Sequence, residues 1–147
     1  MPTLAHNKHA RYEYTILETF EAGLALTGAE VKSIRNGGCK LDDAFVVFHK
    51  NTPVLLNAHV APYRFAAEYT EMNAKRSRNL LLHKKEIAYL RGKMGVSGLT
   101  IIPVSLYTKG RQIKIEIALV KGKKLFEKKE VKKKRDLDRD LRRELKN

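Results

Sequence analysis

The chain is poor in cysteine, in acidic residues relative to basic ones, and in long apolar runs. A single cysteine, Cys39, excludes an intrachain disulfide and fits a reducing compartment. No apolar stretch approaches ~18 residues and the first residues hold no apolar signal core, so a spanning or secreted protein is not expected and the cytoplasm is. Neither Cys39 nor the five histidines (His6, His9, His49, His59, His83) fall at metal-ligand spacing. Gly37-Gly38 lacks the Lys-Ser/Thr partner of a phosphate loop. Asp42-Asp43 reads as a turn before a strand rather than an acid pair. No local Ser/His/Asp set and no carboxylate cluster for Mg²⁺ is seen, so no catalytic residue, metal or cofactor is expected.

What the chain has in excess is positive charge. The 147 residues carry a formal net charge of +14, which points to a polyanionic partner, nucleic acid or an acidic membrane surface. The charge is uneven: residues 121–147 hold 13 Lys/Arg against 6 Asp/Glu, and the other 120 residues hold 17 against 10. Half the excess therefore lies in under a fifth of the chain. This break divides a globular body, residues 1–120, from a basic tail, residues 121–147. The body is one domain by size, with room for a modest core.

Residues 1–10 are polar and expected to be mobile. From Arg11 to Glu18 the alternation puts Tyr12, Tyr14 and Ile16 on one face of a half-buried strand. The stretch Glu18–Gly37 organises the rest. Glu18–Leu26 suits a strand bent at Gly23. Thr27 or Gly28 then caps a short helix carrying Glu30, Lys32 and Arg35, which Asn36-Gly37-Gly38 stops. Such a helix presents its charges from a sheet edge. A hairpin follows, Ala44–His49 and Val54–Leu56 around a turn at Lys50–Pro53. Residues 57–79, with Pro62 and the basic run Lys75-Arg76-Ser77-Arg78, read as a long loop, functional or mobile.

Leu80-Leu81-Leu82 leads into a helix over Lys84–Arg91. Leu99–Tyr107 and Gln112–Val120 are strands joined by a turn at Thr108–Arg111. In the second, Ile113, Ile115 and Ile117 face one way and Lys114, Glu116 and Ala118 the other. Strands interrupted by short helices predict a mainly β fold, an antiparallel barrel or small sandwich. The tail contains no proline, and Leu137, Leu141 and Leu145 recur at helical spacing. That seam is too narrow to hold a helix rigid in water, so the tail is expected to be disordered alone and to fold along a partner.

Four ordered segments carry a resemblance that spans nearly the whole chain. N-K-H-A-R-Y-E-Y at Asn7–Tyr14, F-E-A-G-L-A-L-T-G-A-E-V-K-S-I-R at Phe20–Arg35, R-S-R-N-L-L-L-H at Arg76–His83 and K-G-K-K at Lys121–Lys124 resemble the signature of the SsrA-binding protein family, bacterial partners of transfer-messenger RNA. The resemblance implies an oligonucleotide-binding-fold-like barrel with short helices. It further implies a non-enzymatic protein that binds the tRNA-like domain of transfer-messenger RNA. With elongation factor Tu, that protein brings the RNA to stalled ribosomes, its tail following the empty mRNA channel from the small-subunit decoding centre.

Residue by residue, the resemblance assigns RNA binding to Glu21, Leu81 and Lys114. Taken alone, Glu21 beside Gly23 reads as a solvent-facing carboxylate. In an RNA interface it accepts from a base edge or a 2′-hydroxyl, giving discrimination rather than affinity. Sequence does not tell Leu80, Leu81 and Leu82 apart, so a core role for Leu81 stays open. Lys121, Lys123 and Lys124 leave the last strand together as phosphate contacts or as a solubilising face. Where the family carries histidine before the first strand, this chain has Tyr12. Where the family reads His-Asp-Lys-Arg after the basic motif, it has Phe126, Glu127, Lys128 and Lys129. Tyr12 and Phe126 keep an aromatic plane for stacking and lose a protonatable donor. In the tail, Lys132, Lys133, Lys134, Arg135, Arg139, Arg142 and Arg143 complete the expected ribosome-binding set. The rivals are a general basic RNA-binding module or ribosomal protein, and a metal-dependent nucleic-acid-processing enzyme.

Overall fold

A computed structural model describes residues 2–62, 74–96 and 98–122. Lys123, Lys124, Phe126 and all of the basic tail beyond Gly122, with its expected helical seam, lie outside the described residues. So do residues 63–73, the middle of the expected long loop.

The elements run β1 (Thr3–His6), α1 (Ala10–Glu13), β2 (Tyr14–Leu24), α2 (Gly28–Arg35), β3 (Cys39–Lys40), β4 (Phe45–His49), β5 (Thr52–Leu56), β6 (His59–Val60), β7 (Arg78–Leu81), α3 (Lys84–Met94), β8 (Leu99–Lys109) and β9 (Gln112–Gly122). Seven strands form one antiparallel sheet in the order β1-β8-β4-β5-β7-β2-β9, and β9 pairs again with β8. The hydrogen-bonded circuit β8-β4-β5-β7-β2-β9 therefore returns on itself, with β1 attached outside it. A small sheet, β3-β6, stands apart. The mainly β reading with few short helices is correct.

The strict alternation of β9 builds the core. Ile113, Ile115, Ile117 and Leu119 point inward to Val46, Leu55, Leu80, Ile101 and Leu106, and Ile34 of α2 and Leu90 of α3 join the same cluster. Ala118 lies on the other face, as its parity requires, but it is buried there. With Ala10, Ile102, Val104 and Val120 it forms a second cluster outside the circuit.

The sequence reading is corrected twice at this end of the chain: β1 packs Leu4 and Ala5 against the first cluster, and α1 packs Ala10 into the second. Residues 1–10 are not a loose end, because β1 pairs with β8, Thr3 opposite Tyr107 and His6 opposite Ser105. Arg11–Glu13 is helical, and the strand begins only at Tyr14. The cause is Asn7, which is buried. Its Nδ2 donates to the Pro103 carbonyl at 2.9 Å and its Oδ1 accepts the His9 N–H at 3.2 Å. This side-chain turn swings Ala10 into the outer cluster, and a local turn of this kind overrides a weak alternation.

The two hairpins are tighter than expected. Lys50 at φ 58° and Gly110 at φ 63° each open a two-residue loop in the left-handed region that tight hairpins use. Residues 57–79 are not loop throughout: β6 falls within them and β7 begins at Arg78.

Candidate nucleic-acid interface

Strand register assembles three of the expected RNA-binding residues. On β2, Gly23 lies opposite Lys114 of β9 on one side and Leu81 of β7 on the other. Ala22, Ile113 and Leu80, each one residue away, point into the core. Gly23, Lys114 and Leu81 therefore share the outer face, with Glu21 two residues along the same strand. Parity settles the leucine question: Leu80 is 2% exposed and Leu81 66%. A lone exposed leucine is ordinary, and Leu17 is 49% exposed too; what sets Leu81 apart is its contact across β2 with Gly23.

Gly23 makes this placement fit. A Cβ there would lie 3.2 Å from the Leu81 Cβ, so the bare backbone lets Leu81 lie across β2. Gly23, Leu24, Leu26, Val31 and Leu81 then floor a hollow of about 280 Å³, with Arg111 and Lys114 at its rim. Arg35, in the last turn of α2, donates from Nη2 to the Arg111 carbonyl at 2.9 Å and ties the helix to that rim. An apolar floor with a cationic edge suits a nucleotide whose base packs flat while its phosphate meets the lysine or arginine.

Glu21 faces outward but is engaged. Its Oε2 accepts from the Tyr107 hydroxyl at 2.6 Å and its Oε1 from Lys109 Nζ at 3.2 Å. The Tyr107 hydrogen bond, and after it that of Lys109, holds the carboxyl below the usual carboxylate range. Burial, then the bond to Glu21, pushes the Tyr107 phenol well above its ordinary value. Thr3, Thr19, Ser105 and Glu116 line the groove of about 490 Å³ beside it. Sequence reasoning missed Tyr107 and Lys109; the alternation of β8 placed them on the outer face, but their partner lies over 80 residues away.

Glu30 corrects the sequence reading of α2. It is not presented from a sheet edge but fully buried. Thr27 and Glu30 form a capping box, Thr27 Oγ1 accepting from the Glu30 N–H and Glu30 Oε1 from the Thr27 N–H at 2.9 Å. Two arginines complete its shell. Arg76 donates from Nη2 to Oε1 and from Nε to Oε2 at 3.0 Å, and Arg78 Nε donates to Oε2 at 2.7 Å. Arg78 also donates to the carbonyls of Ala58, Arg76 and Ala74.

Burial by itself would raise the Glu30 pKa; the Arg76 bonds, the Thr27 backbone and Arg78 outweigh it, and the net shift is downward. Two members of the basic run Lys75–Arg78 are therefore structural. They fasten the chain at 74–78 to α2, while Ser33 Oγ donates to the Ala61 carbonyl at 2.6 Å on the other side of residues 63–73. Only Lys32 and Arg35 of the α2 charges reach solvent.

The remaining expected residues lie elsewhere. Lys121 is exposed near the end of β9, about 23 Å along the strand from Lys114. It lies opposite Thr15, and Gly122 opposite Tyr14, which places the exit of the chain beside α1 and Tyr12. Tyr12 is half-buried. The described body thus has two separate ends, the Leu81 hollow and the α1–Lys121 corner. Among the described residues no three His, Cys, Asp or Glu side chains are grouped to hold a metal. Asp42 and Asp43 form a turn before β4. Cys39 is buried, and burial pushes its thiol up to about 11.

Comparison with known proteins gives consistent results. The model of the SmpB protein family matches residues 4–147. The SsrA-binding protein of Trichormus variabilis is 46% identical over 144 residues, covering 98% of this chain and 93% of that one. Its counterpart from Coprothermobacter proteolyticus is 47% identical over 145 residues, covering 98% and 97%. A solved structure described as tmRNA-SmpB in the bacterial ribosome superposes with a TM-score of 0.67 at 41% identity, over 82% of this chain and 84% of that one.

Proposed function

The chain belongs to the SmpB protein family, and from that premise we propose how its body and tail divide the work of ribosome rescue. The protein binds RNA and is not an enzyme. It binds transfer-messenger RNA and acts with it on the ribosome in trans-translation. In our reading the body, residues 1–120, holds the tRNA-like domain through Glu21, Leu81 and Lys114. The observation that carries this is the exposure of Leu81 over Gly23, flanked by Lys114 and Arg111. Leu81 and the hollow take an unpaired base or ribose, Lys114 a phosphate, and Glu21 a hydrogen-bond donor that a phosphate does not offer.

The second end of the body serves the ribosome. Lys121 and Tyr12 lie where the chain leaves the sheet, far from the Leu81 hollow, so one molecule can hold its RNA and reach the small subunit at once. Lys121, Lys123 and Lys124 neutralise phosphates of the bound transfer-messenger RNA beside that end. The tail, residues 121–147, then enters the mRNA channel, a site that exists only when message is missing. Phe126 stacks, and the cationic side chains from Lys128 to Arg143 meet the channel's phosphates as the segment folds against them. Elongation factor Tu accompanies the charged RNA in the same delivery complex, in the cytoplasm.

The test is peptide tagging on ribosomes stalled at the end of a truncated message. Full-length protein supports tagging. A chain ending at Glu130 binds transfer-messenger RNA normally and supports none. Full tagging by the shortened chain would refute the division of labour.

A further inference from the structure

Glu21 has a like-charged neighbour directly opposite it, Glu116 on β9, and such pairs repel on a sheet face. In a chain of net charge +14, these two facing carboxylates sit among cations, and Lys109 and Lys114 both help hold Glu21 ionised. The groups that hold Glu21 against this repulsion both come from β8, two strands away. Strand spacing separates β8 from β2 by about 10 Å, so the Tyr107 ring must lie across β9 for its hydroxyl to arrive at Glu21 Oε2, which it does at 2.6 Å. Lys109, on the same face of β8, reaches the other oxygen at 3.2 Å. Tyr107 has one hydroxyl hydrogen and spends it on Glu21; its raised pKa keeps that hydrogen in place at any pH of interest.

Each carboxylate oxygen accepts about two hydrogen bonds, so an acceptor position on each remains for a ligand. The Glu21 side chain is 38% exposed, open toward the groove lined by Thr3, Thr19 and Ser105. An unrestrained surface glutamate samples many rotamers and loses that freedom on binding; one already held on both oxygens does not.

We propose that Tyr107 and Lys109 are positioning residues for Glu21, fixing its carboxylate so that the two open acceptor positions receive paired N–H or O–H donors from one nucleotide of the bound RNA. The inference rests on the assignment of Glu21 to the RNA interface. It adds the reason the groove discriminates: a carboxylate fixed as an acceptor receives donors, which a base edge or ribose presents and a backbone phosphate does not, and the clamp from β8 sets the direction of approach.

The experiment is a double-mutant cycle on the full chain, with dissociation constants for a tRNA-like fragment of transfer-messenger RNA and for bulk tRNA. Tyr107→Phe keeps the ring and removes only the hydroxyl. It is expected to weaken fragment binding by about three- to tenfold and leave bulk tRNA binding unchanged. In a Glu21→Ala background it should cause no further loss. Lys109→Gln, at an exposed position, repeats the test without touching the ring. Equal weakening toward both RNAs, or a loss that persists in the Glu21→Ala background, would assign Tyr107 a merely structural role and overturn the proposal. A loss with Glu21→Ala but none with Tyr107→Phe or Lys109→Gln overturns the positioning role alone. No loss with any of them removes Glu21 from the interface and overturns both.

Discussion

Replacing Arg78 with methionine tests the buried frame under the RNA-binding face. Arg78 is among the largest side chains in the interior, and its guanidinium serves Glu30 and three backbone carbonyls. Methionine fills much of the volume and supplies no donor. Glu30, itself at 0%, would keep its two bonds from Arg76, whose side chain is 35% exposed, but would lose the partner that is buried with it. Removing one member of a buried pair costs about 3–5 kcal/mol, which for a domain of this size lowers the melting temperature by roughly 10–15 °C.

The pH dependence carries the sharper signature. In the native protein the Glu30 pKa is lowered, so its contribution is complete above the unfolded carboxylate value and is lost as pH falls through the lower folded one. In Arg78→Met burial is opposed by less, and the Glu30 pKa rises. Protonation then removes the poorly paired charge, so the gap between variant and native protein should narrow between about pH 7 and pH 4. Thermal and urea unfolding followed by circular dichroism at both pH values measure it. A loss under about 1 kcal/mol at neutral pH, in the range of an exposed pair, would refute the claim that this pair holds the frame.

Three further outcomes follow from the geometry. Gly23→Val should push Leu81 off the strand, since even a Cβ approaches within 3.2 Å; binding of transfer-messenger RNA should fall by about tenfold or more, and native affinity would contradict the hollow. Cys39, with its thiol pushed up to about 11 by burial, should resist a thiol reagent at neutral pH until denaturant is added; rapid labelling of the folded protein would contradict its burial. Asp138→Pro keeps every tail cation and costs a helix about 3 kcal/mol; tagging should fail while RNA binding survives, and normal tagging would show that the tail acts only through its charge.

How far sequence reaches in this chain depends on the range of the cause. The β9 alternation and the helix after Thr27 are local, and both were legible. Even the capping box was written in Thr27 and Glu30 at the right spacing. What that spacing does not reveal is that Glu30 is buried, because Arg76 and Arg78 come from 46 and 48 residues further on. Leu81 resembled its two neighbours until register with Gly23 set its parity. For Tyr107 the alternation of β8 gives only the outward face, since its role depends on lying across a strand to a residue 86 positions away. The turn at Asn7 was hidden for the same reason: it is held by Pro103.

The central claim is that one outward face, Glu21, Leu81 and Lys114, recognises transfer-messenger RNA rather than RNA in general. Competition between labelled transfer-messenger RNA and excess bulk tRNA, for the native protein and for Leu81→Glu, tests it most directly. The native protein should retain the labelled RNA against a large excess of competitor, and Leu81→Glu, an exposed position that leaves the fold intact, should lose that preference. Equal competition by bulk tRNA for the native protein, or undiminished preference in Leu81→Glu, would contradict it.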